Sequence, residues 1–106
     1  MTRGEVWWVN FDPSVGGEAQ QKRPAVIVSN DASNLKLNRL QVVPVTSNVS
    51  RVYSSEAAIT LNNQQRKALG NQITTVSKLR LGTKIGKLTT DEMSRIESAI
   101  RVQLGL

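Results

Sequence analysis

Pro24-Ala25-Val26-Ile27-Val28-Ser29 is a short apolar run rich in β-branched residues. It is too brief for a self-burying helix and is bounded by chain-breaking residues, so it reads as a buried strand. Its proline fits the first position of a strand, where no ladder N–H is required. Asn30-Asp31 ends the run, and Ala32 to Lys36 suits one helical turn or a short helix. Upstream, Glu5-Val-Trp-Trp-Val-Asn-Phe11 is β-branched and aromatic and stops at Asp12-Pro13, which predicts a first strand. Ser14 to Lys22 lies between the two, with Gly16-Gly17 and no hydrophobic period, and is expected to be a mobile loop. Downstream, Leu40-Gln-Val-Val-Pro-Val-Thr46 predicts a third strand, with Pro44 suggesting an edge or a bulge. Ser55 to Leu61, Ile73 to Ser77 and Lys84 to Leu88 predict three more. The last segment changes period: Thr89 and Glu92 form a capping box, and Met93, Ile96, Ile100 and Leu104 recur at helical spacing. The expected architecture is mainly β with helical additions: a small, strongly curved barrel whose opening a C-terminal amphipathic helix covers.

The 106 residues suffice for one core, so residues 1–106 are read as a single domain. The chain has no cysteine and no histidine. This excludes disulfides, thiolate zinc sites and imidazole bases, and leaves catalysis to Arg, Lys, Thr, Ser, Tyr or carboxylates. Met1 to Glu5 leads straight into the first strand without the apolar core of a secretory signal, and no run approaches the roughly 18 apolar residues of a membrane helix. A cytoplasmic chain is expected. The net charge of +6 is uneven: residues 1–35 carry −1, residues 36–87 carry +8 and the tail carries −1. Such a basic block suits a polyanion, nucleic acid above all, or a solvated surface.

Three groupings bear on chemistry. Asp12, Glu18 and Asp31 match no metal motif, so no metal site or cofactor is expected. Gly17-Glu18-Ala-Gln-Gln-Lys22-Arg23-Pro24 sets an arginine where a loop meets a strand, suited to a bidentate phosphate contact or simply to solvent. Thr46-Ser47-Asn48 ends the third strand with hydroxyls that suit a phosphate or a turn.

Taken together, these stretches resemble the MazF/PemK/Kid family of toxin endoribonucleases. The resemblance rests on Arg3-Gly-Glu-Val-Trp7, on Gly17-Glu18 through Arg23-Pro24-Ala-Val-Ile-Val-Ser-Asn30-Asp31, and on Val42-Val-Pro-Val-Thr46-Ser47. Gln72-Ile-Thr-Thr-Val-Ser-Lys-Leu-Arg-Leu81 and the capped final helix extend it over almost the whole chain. The chain departs from the family at Ala19, where many relatives carry Gln, and at Thr74 and Ser77, where the usual segment supplies Arg and Asp.

The resemblance implies an SH3-like barrel of the CcdB/PemK toxin type, assembled as a homodimer. It implies metal-independent cleavage of single-stranded RNA, leaving a 2′,3′-cyclic phosphate and a 5′-hydroxyl. The partner it implies is a MazE-like antitoxin with an acidic C-terminal tail. Arg23 and Thr46 match the family's catalytic Arg and Thr, and Glu18 its loop glutamate. RNA binding is expected of Lys22, Ser47, Asn48, Arg51, Gln72, Lys78, Arg80, Lys84 and Lys87. Trp7, Trp8 and Tyr53 are candidates for base stacking; adjacent tryptophans on a strand point to opposite faces, so at most one of the two is available. Two other readings keep the barrel: a gyrase-inhibiting toxin acting through its terminal helix, and a non-catalytic RNA-binding module.

Overall fold

The computed structural model describes residues 1–13, 15–19 and 21–106; Ser14 and Gln20, both within the expected loop, lie outside the described residues. The elements are β1 (Glu5–Asn10), β2 (Lys22–Ile27), α1 (Asp31–Lys36), β3 (Arg39–Thr46), β4 (Glu56–Leu61), β5 (Gln64–Leu69), β6 (Thr74–Ser77), β7 (Leu81–Lys87) and α2 (Thr90–Leu104). Single 3₁₀ turns at Gly70–Gln72 and Lys78–Arg80 flank β6.

All strand pairs are antiparallel, in the order β4-β5-β3-β2-β1-β7, with β6 also on β3. β3 makes the sheet curl because it changes partners along its length. Its first half pairs with β6, Val42 to Pro44 pair with β2, and Val45 and Thr46 pair with β5. The two edges approach at the far side, where a β-carbon on Gly86 of β7 would sit 4.0 Å from Leu61 Cδ1 of β4. The result is a curled half-barrel.

Alternation along the strands divides the core in two. Val6, Val26, Val43, Val45, Ile59 and Ala68 meet Met93, Ile96 and Ala99 of α2 on one face. Val9, Ala25, Ile27, Leu40, Val42 and Val76 form a second cluster on the other, with Trp7, Phe11 and Leu81 packed against it. Ile96 is 1% exposed, and burying such a side chain stabilises by about 1.5–3 kcal/mol. The helix begins as expected: Thr89 Oγ1 accepts from Glu92 N at 3.1 Å and Glu92 Oε1 accepts from Thr89 N at 3.0 Å. Glu92 Oε2 also accepts from Thr60 N at 2.7 Å, tying the helix start to β4. Among the described residues, no helix is long and apolar enough to cross a membrane.

Four local expectations are corrected. Pro24 does not open its strand; it is the third residue of β2, opposite Trp8, one step past the last pair with β3. Pro44 lies on neither an edge nor a bulge but on central β3, one residue before the switch from β2 to β5, so both prolines sit where the β2–β3 ladder ends. β5 was not expected at all. Gln64-Gln-Arg-Lys67 has weak strand propensity, and the strand forms because Asn62 and Asn63, at φ 51 and 63, fold it back on β4. Leu104 leaves the buried stripe and is 53% exposed, with Ala99 buried in the turn before it.

Candidate functional site

A groove of about 590 Å³ opens on the face of the second core cluster. Phe11, Pro13, Gly17, Glu18 and Ala19 form its loop wall, Gln72 to Val76 the opposite wall, and Pro44 and Arg80 complete it. Of the predicted residues it therefore gathers Glu18, Gln72 and Arg80. The Glu18 carboxylate is exposed and accepts from Val15 N at 2.6 Å within its own loop. Gln21 holds φ 57, in the left-handed region, at a cost of about 1–2 kcal/mol. It is clamped there by its N–H on Asp12 Oδ1 at 2.8 Å and by its carbonyl on Phe11 N at 2.8 Å. Arg80 Nη1 donates to the carbonyls of Asn10 and Asp12, so the turn before β7 closes the hairpin mouth.

Arg23 and Thr46 do not line this groove; sheet register places them on the same face of the sheet. Arg23 stands opposite Val9 of the second cluster and is half-buried. Ala25 pairs with Pro44, a groove residue, and Arg23 and Thr46 lie two residues beyond that pair on their strands. Two residues is one pleat period, so both side chains take the same sheet face as Pro44, although the β2–β3 ladder stops at that pair and Thr46 goes on to pair with Lys67 of β5. Trp8, the more exposed tryptophan at 43%, is on the other face, in a hollow shared with Lys22, Leu79 and Arg80. Trp7 takes the Arg23 side and donates its indole N–H to Glu5 Oε1 at 3.0 Å.

The remaining predicted RNA contacts are dispersed. Ser47 and Asn48 are exposed just past Thr46, and Asn48 N donates to Thr46 Oγ1 at 3.3 Å. The Arg51 guanidinium lies 4.7 Å from the centroid of the half-exposed Tyr53 ring. Lys78 is turned inward onto the Asn34 carbonyl, away from the groove lining. Lys84 and Lys87 are on edge strand β7, and the Lys84 ammonium is engaged by Glu5 Oε2 at 3.1 Å. Among the described residues, no group of three or more carboxylates converges as a metal site would require.

Two buried charged groups were not singled out from the sequence. Glu5 accepts from Thr2 N and Trp7 Nε1 as well as pairing with Lys84. Burial pushes its carboxyl up, but these bonds outweigh burial and hold its pKa at about 2. Lys67 of β5 is directly opposite Thr46 and only 7% exposed; it pairs with Glu56 Oε1 at 3.0 Å. Desolvation raises the Glu56 carboxyl as well, and the Tyr53 N–H and Lys67 together bring it below the ordinary carboxylate value. Neither pairing carries a local sequence signal, since both depend on register between strands distant in the chain.

A family model described as PemK-like, MazF-like toxin of type II toxin-antitoxin system matches residues 2–104. The chain is 37% identical to endoribonuclease MazF9 of Mycobacterium tuberculosis (strain ATCC 25618 / H37Rv), over 100% of this chain and 98% of the relative. It is 32% identical to the endoribonuclease toxin MazF of Escherichia coli (strain K12), over 96% of this chain and 92% of that one. Among solved structures it is similar to an endoribonuclease in complex with its cognate antitoxin from a mycobacterial species, with TM-score 0.85 and 25% identity, over 100% and 96% of the two chains. MazF of Deinococcus radiodurans shares the fold at TM-score 0.88 and 23% identity, over 100% of this chain and 97% of that one.

Proposed function

The chain belongs to the family of PemK-like, MazF-like toxins of type II toxin–antitoxin systems and is an endoribonuclease toxin, and from that premise we propose that it cleaves single-stranded RNA at Arg23 and Thr46. The observation supporting this reading is that Arg23 and Thr46 share the sheet face of the groove residue Pro44, two residues past the Ala25–Pro44 pair. Relatives named as endoribonucleases favour it over a gyrase-inhibiting toxin or a passive RNA-binding barrel.

The nucleophile is the 2′-hydroxyl of the substrate. As its oxygen bonds to the adjacent phosphorus, the bond from phosphorus to the 5′-oxygen breaks, leaving a 2′,3′-cyclic phosphate and a 5′-hydroxyl. Negative charge grows on the non-bridging oxygens, where the planar Arg23 fork makes two charge-assisted bonds and the Thr46 hydroxyl donates a third. The 2′-hydroxyl proton passes to the Glu18 carboxylate at the groove wall, and the departing 5′-oxygen takes a proton from water. Gln72 and Arg80 in the groove, with Ser47, Asn48 and Arg51 past Thr46, hold the strand; Lys22, on the Trp8 face, and Lys78, Lys84 and Lys87 add longer-range attraction.

The chain works as a homodimer in the cytoplasm, and its partner is a cognate antitoxin whose acidic tail competes for the same basic groove. The test is cleavage of a single-stranded RNA in excess chelator. Wild-type protein should cut without metal, and Arg23→Ala should lose roughly 10²–10³-fold in rate, the usual effect of removing one such donor. Activity that disappears with chelator and returns with magnesium, or an Arg23→Ala variant of full rate, overturns the mechanism.

A further inference from the structure

The Lys67–Glu56 pair is unusual for its place. Both side chains are 9% exposed, and burying two ions is costly unless their geometry and remaining bonds are well satisfied. An apolar side chain would fill the same space on β5, between Arg66 and the core residue Ala68, without that penalty. The pair is fully used. Lys67 Nζ donates to Glu56 Oε1 at 3.0 Å and to the Arg51 carbonyl at 2.7 Å. Glu56 Oε1 also accepts from Tyr53 N at 2.9 Å, and Glu56 N donates to the Tyr53 carbonyl at 2.9 Å. Three bonds thus tie Arg51 and Tyr53 to the pair, in a loop that otherwise has no regular structure between β3 and β4.

This anchor stands at the proposed reaction centre. Lys67 is the cross-strand partner of Thr46, and Val45–Ala68 of the preceding rung points into the helix-covered core. Thr46, Lys67 and Glu56 therefore share the opposite face, that of Arg23. The segment they hold presents the exposed Arg51 guanidinium over a half-exposed tyrosine ring, with Lys67 Nζ itself 5.7 Å from that ring.

We propose that Lys67 is a positioning residue: with Glu56 it clamps Arg51 and Tyr53 as a nucleotide subsite beside Thr46, in which Tyr53 stacks on a base flanking the scissile bond and Arg51 meets its phosphate. This rests on the reading of Arg23 and Thr46 as the cleavage site, but it concerns how substrate is held and not the chemistry. Stacking against an aromatic ring is tolerant of base identity, so the subsite adds affinity at one neighbouring nucleotide and fixes its distance from the cut.

The experiment measures affinity for a single-stranded oligonucleotide with a 2′-deoxy sugar at the cleavage position, which binds but cannot be cut. Lys67→Met and Tyr53→Ala should each weaken binding about tenfold, the contribution of one stacked base, and the double variant should be no weaker than either. Lys67→Met leaves Glu56 buried alone, so Lys67→Met/Glu56→Leu, which makes the site apolar, serves as the folded control and should show the same loss. Wild-type affinity in either folded Lys67 variant, or losses that add in the double variant, overturns the clamp. Cleavage of an all-ribose oligonucleotide by Arg23→Ala, measured in parallel, reports separately on the catalytic reading, because the uncut ligand decides the clamp whatever that result.

Discussion

Replacing Glu5 by glutamine keeps the shape of the side chain and an oxygen for Thr2 N and Trp7 Nε1, and removes the charge that faces Lys84 at 3.1 Å and the Met1 ammonium at 3.8 Å. The folded carboxyl titrates at about 2 against an ordinary 4.5. A depressed carboxyl pKa means that the unfolded chain binds the proton more readily than the folded one. The stabilisation is thus complete above pH 4.5 and is lost as pH falls towards 2. The separation of the two values sets a ceiling of about 3 kcal/mol, and since the Lys84 partner is 48% exposed and screened by water, about 1–2 kcal/mol is expected. Urea unfolding midpoints should be measured for wild type and Glu5→Gln from pH 7 to pH 2. Asp31, Glu56 and Glu92 also have lowered pKa values, so both proteins weaken in acid, and the difference between them isolates Glu5. Wild type should be the more stable at pH 7, with the gap closing below pH 4.5. A gap of constant size across that range would refute the linkage and leave Glu5 a packing residue.

Arg23→Lys retains the charge but not the planar fork, so the cleavage rate should fall by at least about tenfold while RNA affinity changes little; equal losses in both would make Arg23 a binding residue. Sedimentation at micromolar concentration should give twice the mass of the 106-residue chain, and a stable monomer that still cuts RNA would show that one groove suffices.

The elements most visible in the sequence are those with a local cause. The capping box at Thr89 and the β-branched runs of β2, β3 and β6 depend on residues a few positions apart, and all form, though β2 runs over Lys22–Ile27, two residues earlier than the expected Pro24 to Ser29. β5 fails this test, since four consecutive polar residues hide it and only Asn62-Asn63 betrays the hairpin. Pro44 misled because proline usually marks an edge, whereas here a central strand changes neighbours beside it. Charge patterning located the basic half of the chain but not its use: Lys67, Lys78 and Lys84 are tied to protein oxygens, leaving fewer cations for a ligand than the net charge suggests. That Arg23 and Thr46 share one sheet face is a matter of register across 23 positions of chain. No local pattern reveals it; the family resemblance supplied the pairing.

The partner switch of β3 also separates what this protein can change from what it must keep. Arg23 and Thr46 ride on strands locked between neighbours, β3 being held by β2, β5 and β6. Arg51 and Tyr53 sit instead on a connecting segment outside the ladders. A substitution, insertion or deletion in that segment disturbs few backbone bonds, whereas one in β3 disturbs three strand pairs together. Changes there should alter how substrate is held while leaving the strands that carry Arg23 and Thr46 in place.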